Sequence, residues 1–318
     1  VDDGDELAGN RLKRPRQGEK VAQWTERDPN RKPYLTYEGE LPPSLFRYRT
    51  VRPSTLDRLI DFEIVQEGIY LSALKDLNDP DEARFSVRFA GSNESIVSYF
   101  WRGIRQSQPY LSNEAVMAIA QKNFQELQNS NFVPPEHVVH SMRHTLMHVL
   151  RVACFTTSPT NFTMWASYAK YIDADGQSAD HAGICIEYRC DESWRSSNLH
   201  PVRYSDDVPE INPVERDEEA FAKVLYLKSR EWRGEEEWRI SSVLQTLPPF
   251  EDNWQANCRI KLQGAVTAVI FGLYTPQEMV EAIAVRVQRV RPDIALKRVV
   301  RNPLTWVREV VPLEALNR

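Results

Sequence analysis

Lys228-Ser229-Arg230-Glu231-Trp232-Arg233-Gly234-Glu235-Glu236-Glu237-Trp238-Arg239-Ile240 gathers two Trp, four Glu, three Arg and one Lys into thirteen residues. Glu235, Glu237 and Arg239 recur at a spacing of two, which on a β-strand sets all three side chains on one face. Carboxylates stacked along one face oppose strand pairing unless something needs them there. The stretch predicts a strand that continues through Trp238–Leu244. Glu236 should point away from the other two acids and be dispensable.

Working outward, the C-terminal half is rich in strand patterns and the N-terminal half in helical ones. Ser54 or Thr55 can cap a helix reaching Gln66, with Leu56, Leu59, Ile60 and Ile64 on one face. Gly68 ends it, and Ile69-Tyr70-Leu71-Ser72 reads as a short strand. Residues 93–150 read as helices broken at Pro109 and at Pro134-Pro135. Strands are expected at Arg151–Phe155, Gly183–Tyr188, Val202–Tyr204 and Val266–Phe271, and near Ile294–Val300. Helices are expected over Glu215–Ser229 and Pro276–Val287. Elements that do not alternate regularly favour an α+β fold, with a mixed or antiparallel central sheet and helices packed around it. Residues 1–40 read as an extended or partly disordered arm carrying the basic knot Arg11-Leu12-Lys13-Arg14-Pro15-Arg16. Residues 41–318 read as one α+β domain with a helical insertion at about 90–150.

A hydrophobic content of 42% supports a real core, while a net charge of −5 gives no general attraction to nucleic acid or anionic membrane. No apolar run approaches the roughly 20 residues of a membrane span, and none resembles a signal-peptide core. Cys154, Cys185, Cys190 and Cys258 form no Cys-x-x-Cys pair, as expected of reduced thiols in a cytoplasmic protein. The chain opens on Val1 rather than Met, which a trimmed N-terminus or a toxin module delivered into a target cell would also show. The absence of a Gly-rich fingerprint argues against a Rossmann or P-loop nucleotide site.

Several constellations carry two readings each. His137, His140, His144 and His148 share one helix face, but one helix rarely supplies more than two ligands to one ion, so no metal site is expected. Asn78-Asp79-Pro80-Asp81 is either turn chemistry or a loop shaping a site. Trp165 and Tyr168 lie three apart on a helix, as a core pair or as a stacking wall for a planar ring. Arg47 and Arg49 alternate with Phe46 and Tyr48, so both arginines lie on the face opposite the two aromatics. There they either fork onto a phosphate or form ion pairs. Arg286 to Arg301 holds six basic residues and one acid, Asp293, a solvated surface or a polyanion-facing one.

The order Phe46-Arg47-Tyr48-Arg49, Asn78-Asp79-Pro80, Cys154-Phe155-Thr156, Met164-Trp165-Ala166-Ser167-Tyr168 is similar to the bacterial domain-of-unknown-function 2971 family. His181-Ala182-Gly183-Ile184-Cys185-Ile186-Glu187, Val202-Arg203-Tyr204, Trp232-x-x-Glu235-x-Glu237-Trp238-Arg239 and Val269-Ile270-Phe271-Gly272 continue the resemblance. It spans about 45–272 and implies no activity of its own. In layout the chain also resembles the ADP-ribosyltransferase fold, in which a late-strand Glu holds a ribose hydroxyl and steadies an oxocarbenium-like centre as nicotinamide leaves NAD. That resemblance implies catalytic roles for Glu237 and Glu235. It implies an NAD site from Arg49, Tyr48, Trp165, Tyr168 and Arg239, and substrate contacts from Asn78, Asp79 and Lys228. It departs where Thr156-Thr157-Ser158 stands for a Ser-Thr-Ser strand and where Arg replaces a His. Two functions stay open. One is an NAD-using ADP-ribosyltransferase-like enzyme, a toxin or phage-defence effector with an unknown nucleic-acid or protein acceptor. The other is a non-enzymatic module recognising nucleic acid or protein, whose charged strand is an internal salt-bridge network.

Overall fold

The computed structural model describes residues 23–25, 34–192, 194, 198–214, 218–243, 259–261 and 265–314. Most of the expected N-terminal arm lies outside these residues, as does Cys258. Within the arm, Gln23–Thr25 pairs antiparallel with Tyr34–Thr36.

The chain is α+β, organised on a nine-stranded mixed sheet. Numbered along the chain, its strands are β1 (Ser44–Arg49), β2 (Ser72–Ala73), β3 (Leu150–Thr156), β4 (Ile184–Arg189) and β5 (Leu199–Pro201). They continue with β6 (Glu237–Val243), β7 (Val266–Phe271), β8 (Ala295–Arg301) and β9 (Arg308–Pro312). The spatial order is β5-β6-β3-β1-β4-β7-β8-β9, with the short β2 also pairing to β3. Every pairing is antiparallel except β7 with β8, which the helix Gln277–Val290 joins. A parallel neighbour requires such a crossover. The two outer strands β5 and β9 have no counterpart among the expected strands.

Alternation along β1 divides the core. Leu45, Arg47 and Arg49 share a face with Ile184, Ile186 and Tyr188 of β4 and with Val269 and Phe271 of β7. This Leu45 face is covered by Ile60, Ile64, Trp194, Val280, Ile283 and Val287. The opposite, Phe46 face carries Phe46, Tyr48, Cys185 and Ile270 against Met164 and Trp165 of the short helix Phe162–Ser167. Farther along it, Leu150 and Val152 pack on Leu74, Phe85, Val224 and Leu225.

Three helices, Asn93–Ser107, Asn113–Asn129 and Glu136–Val149, occupy the stretch expected to be helical. They break where Pro109 and Pro134-Pro135 forbid continuation. Ser92 and Ser112 cap the first two by accepting from the amides of Ser95 and Ala115. The helix expected over residues 54–66 is different. It begins as a 3₁₀ turn and one α turn, then winds as a π-helix over Leu59–Val65. Leu56, Leu59, Ile60 and Ile64 are buried as expected, and the wider winding also turns Glu63 inward, where it meets Arg49. The acidic helix, described over Glu218–Tyr226, ends earlier than expected because Leu227–Ser229 leaves it to pair in parallel with Arg203–Ser205.

Candidate functional site

The charged stretch does not run as one strand. Ser229 opens a 3₁₀ turn over Arg230–Glu235, its hydroxyl accepting from the Glu231 amide, and Glu236 closes the turn with φ 48°. Only then does β6 begin, at Glu237. Glu235 therefore reaches Glu237 from a folded-back turn and not from the next position on one strand face. Glu237 and Arg239 do share a face, the Phe46 face, opposite Thr156 and Cys154 of β3. Glu236 points away and is exposed, and its carboxylate accepts from Thr157 Oγ1 at 3.0 Å.

Around these residues the chain closes a buried ionic cluster. Arg239 is 0% exposed; its guanidinium donates to Glu237 Oε1 at 2.7 Å and to both oxygens of Glu82 at 2.6 and 2.9 Å. It also donates to Leu225 O at 2.8 Å. Lys228 Nζ lies 2.8 Å from Glu235 Oε2 and 3.0 Å from Glu237 Oε2, with the Trp232 ring 4.7 Å away. The Glu237 amide donates to Tyr204 Oη at 2.9 Å. Burial would raise the Glu237 carboxyl, but Arg239 and Lys228 outweigh it and hold the group down at about 2. Burial likewise opposes the charge on Lys228, and Glu237 and Glu235 reverse that, raising its pKa.

Tyr168 sits at the outer end of the cluster. Its oxygen is 2.6 Å from Glu235 Oε1 and 2.8 Å from the side-chain amide of Asn78. The phenol has one proton, and burial together with Glu235 raises its pKa, so it stays protonated and donates to the carboxylate. The amide of Asn78 then turns its NH2 end to the phenol. Asn78 is exposed, whereas Asp79 is buried and caps its own turn, its Oδ1 accepting from the Asp81 amide at 2.9 Å. This is the turn chemistry the Asn-Asp-Pro-Asp run allows. Burial raises the pKa of Asp79, partly offset by that amide and by Lys228.

The structure thus brings Asn78, Asp79, Tyr168, Lys228, Glu235, Glu237 and Arg239 together. It does not bring in Arg49, Tyr48 or Trp165 as an NAD site would need. Arg49 lies on the Leu45 face, on the far side of the sheet from Glu237, and pairs with Glu63 at 2.5 Å. Beside it, Arg47 donates to Tyr70 O at 2.9 Å. Among the described residues, Arg47 Nη1, Arg49 Nε, Glu63 Oε2 and Tyr188 Oη are buried there with no hydrogen-bond partner. Trp165 is 1% exposed, packs edge-on to Tyr48 at 5.0 Å and donates to Pro159 O. Tyr48 donates to Ser158 O. Both rings are core and leave no open stacking wall.

Sequence reasoning missed Glu82, one residue beyond the turn it had singled out, and the phenol of Tyr204. Acid in a loop before a buried hydrophobic run was the only signal for Glu82. The His137–His148 face lies on Glu136–Val149, where the rings of His144 and His148 are 4.2 Å apart. Among the described residues no three His, Cys, Asp or Glu side chains gather to hold a metal. No described helix is long and apolar enough to cross a membrane. The described cysteines, Cys154, Cys185 and Cys190, are not joined in disulfides.

No protein-family model matches this chain, and no curated protein or solved structure matches it significantly.

Proposed function

We propose that this chain is a non-enzymatic recognition module, and that its charged strand is a structural salt-bridge lattice. The observation that carries this reading is the closure of the cluster. Both oxygens of Glu237, at 3% exposure, are taken by Arg239 and Lys228, so neither faces a space a substrate can enter. A carboxylate that stabilises a developing cation has to touch it. The test pairs stability with chemistry. Glu237→Gln should lower the unfolding free energy sharply, and wild-type protein incubated with NAD and cell lysate should release no nicotinamide. Nicotinamide release by the wild-type protein that either Glu237→Gln or Glu235→Gln abolishes would overturn the reading.

A second reading, an ADP-ribosyltransferase-like fold using NAD as a toxin or phage-defence effector, is favoured by one observation. Two carboxylates, Glu235 and Glu237, meet through Lys228, and the Glu235–Tyr168–Asn78 end of that chain approaches the surface. On this reading Glu235, not Glu237, is the group nearest a substrate. Nicotinamide release that survives Glu237→Gln but not Glu235→Gln or Tyr168→Phe would establish it.

A further inference from the structure

A second charged region lies on the Phe46 face, at the end of the sheet formed by β8 and β9, and its charges are not paired. Arg301 stands directly opposite Arg308 in the antiparallel ladder. Like charges facing each other across a ladder are destabilising, and among the described residues neither guanidinium has an acidic partner. Nearby acids are engaged elsewhere: Glu309 alternates to the other face and accepts from Asn302, and Asp180 pairs with Lys170. Most of the other basic residues of this part of the chain are neutralised or tied down, and the exposed Arg289 lies on the helix Gln277–Val290, which packs on the opposite, Leu45 face. Arg286 pairs with Asp57 and Asp61, Arg291 with Glu67 and Asp293, and Lys297 with Glu187, while Arg298 donates to two backbone carbonyls.

What the two arginines do have is aromatic company. Arg308 lies 4.4 Å over the Phe162 ring, which also meets the His181 ring at 4.9 Å, and Arg301 lies 5.4 Å from the centre of the Tyr274 ring and donates to its hydroxyl. Both rings are exposed, and Trp306, in the turn between β8 and β9, is fully exposed. These contacts fix the orientation of Phe162 and Tyr274 while leaving each ring more than half exposed. Two uncompensated positive charges among exposed flat rings fit phosphates joined by unstacked bases.

We propose that this surface, Arg301 and Arg308 with Phe162, Tyr274 and Trp306, binds single-stranded nucleic acid, the arginines meeting phosphates and the rings stacking bases. The proposal rests on the recognition-module reading and supplies its partner. An acidic protein segment would satisfy the arginines but would offer the exposed faces of Phe162, Tyr274 and Trp306 nothing planar to stack on.

The test is fluorescence anisotropy of labelled oligodeoxythymidylate and oligouridylate of about 12 nucleotides, titrated with the full chain from about 50 to about 200 mM salt. A duplex of the same length and polyglutamate serve as competitors. Single strands should bind in preference to both, with affinity falling about as the 1.4 power of salt for two phosphate contacts on a single strand. Arg301→Gln with Arg308→Gln should flatten that salt dependence. Trp306→Ala or Phe162→Ala should each weaken binding by roughly 5- to 150-fold, the range for loss of one stacked base. No binding of either single strand at the lowest salt, an unchanged salt slope in the double variant, or polyglutamate competing as well as an oligonucleotide would overturn the proposal. All four positions are on the surface, and unchanged thermal unfolding of each variant confirms that binding, not folding, is being read. Nicotinamide release measured on the same samples keeps the two claims apart. Failure to bind oligonucleotide sinks the surface alone, whereas turnover that depends on Glu237 or Glu235 sinks the module reading whatever the oligonucleotides do.

Discussion

Arg239 and Arg301 are the same side chain in opposite circumstances. Arg239 is enclosed, with four carboxylate oxygens and a carbonyl around its guanidinium, while Arg301 faces another arginine at an exposed sheet end. The helix Phe162–Ser167 stands between the two regions, offering Phe162 to Arg308 and, just past its end, Tyr168 to Glu235. The contrast teaches that charge density does not locate function. A buried charge whose every bond is made within the chain has its energy committed to the fold, whereas an exposed charge left without a partner has its interaction still to make.

The sharpest way to break this contrast is to remove each arginine in turn. Arg239→Met should cost about 3–5 kcal/mol, because Glu82 and Glu237 are left buried without their cation. Arg301→Gln should change stability by less than about 0.5 kcal/mol. Urea unfolding of the two variants checks both, and comparable losses would mean the exposed pair is structural after all.

Acid should also separate the regions. Glu237 has a folded-state pKa of about 2, below its ordinary 4.5, so the unfolded chain binds more protons between those values. Its contribution is fully present above about pH 4.5 and is lost as pH falls toward 2, on the order of 3 kcal/mol in all. Unfolding measured from pH 5 to 2 should show this loss in the wild type, and Glu237→Gln should remove that part of the pH dependence.

Smaller effects test the edge of the cluster. Tyr168→Phe should cost about 1.5–3 kcal/mol, the value of a hydrogen bond to a charged acceptor, read as a lowered denaturation midpoint. Glu236→Gly should be neutral or stabilising by up to about 1 kcal/mol, since Glu236 holds a left-handed conformation that glycine adopts without strain. Glu236→Ala keeps that strain and loses only the exposed bond to Thr157, a cost of a few tenths of a kcal/mol on the scale of surface substitutions. Thermal unfolding of the pair orders them.

Most of the elements were legible because they depend on local pattern. β3, β4 and β7 begin and end within a residue or so of their apolar runs, and the prolines at 109, 134 and 135 separate the three helices as read. The site was less legible, because it depends on which strands become neighbours. Alternation correctly separates Arg49 from Tyr48, but nothing local to Arg49 says that Glu237 will project on the Tyr48 side. The spacing of Glu235 and Glu237 looks like a strand, yet Glu236 bends the backbone between them. Gly183 shows the same limit in miniature. A Cβ there would stand 2.4 Å from Arg49 O and 2.6 Å from Ala169 C, a close approach set by two segments remote in sequence. The Arg301–Arg308 pair forms only once β9 folds back on β8, and β9 has too weak an alternation to be read alone.

The strand order has a consequence for how the chain must come together. β1, first of the nine in sequence, lies in the middle of the sheet, between β3 and β4. Its neighbours on one side begin at Leu150 and on the other at Ile184. During synthesis the apolar run Leu45-Phe46 and Tyr48 has no ladder partner until Leu150–Thr156, about a hundred residues later, has emerged. Closing such long loops precedes any reward from pairing, which slows folding and prolongs exposure of an aggregation-prone strand. The helices over 93–149 can form locally in the interval. This topology therefore makes the chain a slow folder, one for which a holding chaperone is a natural companion on the ribosome.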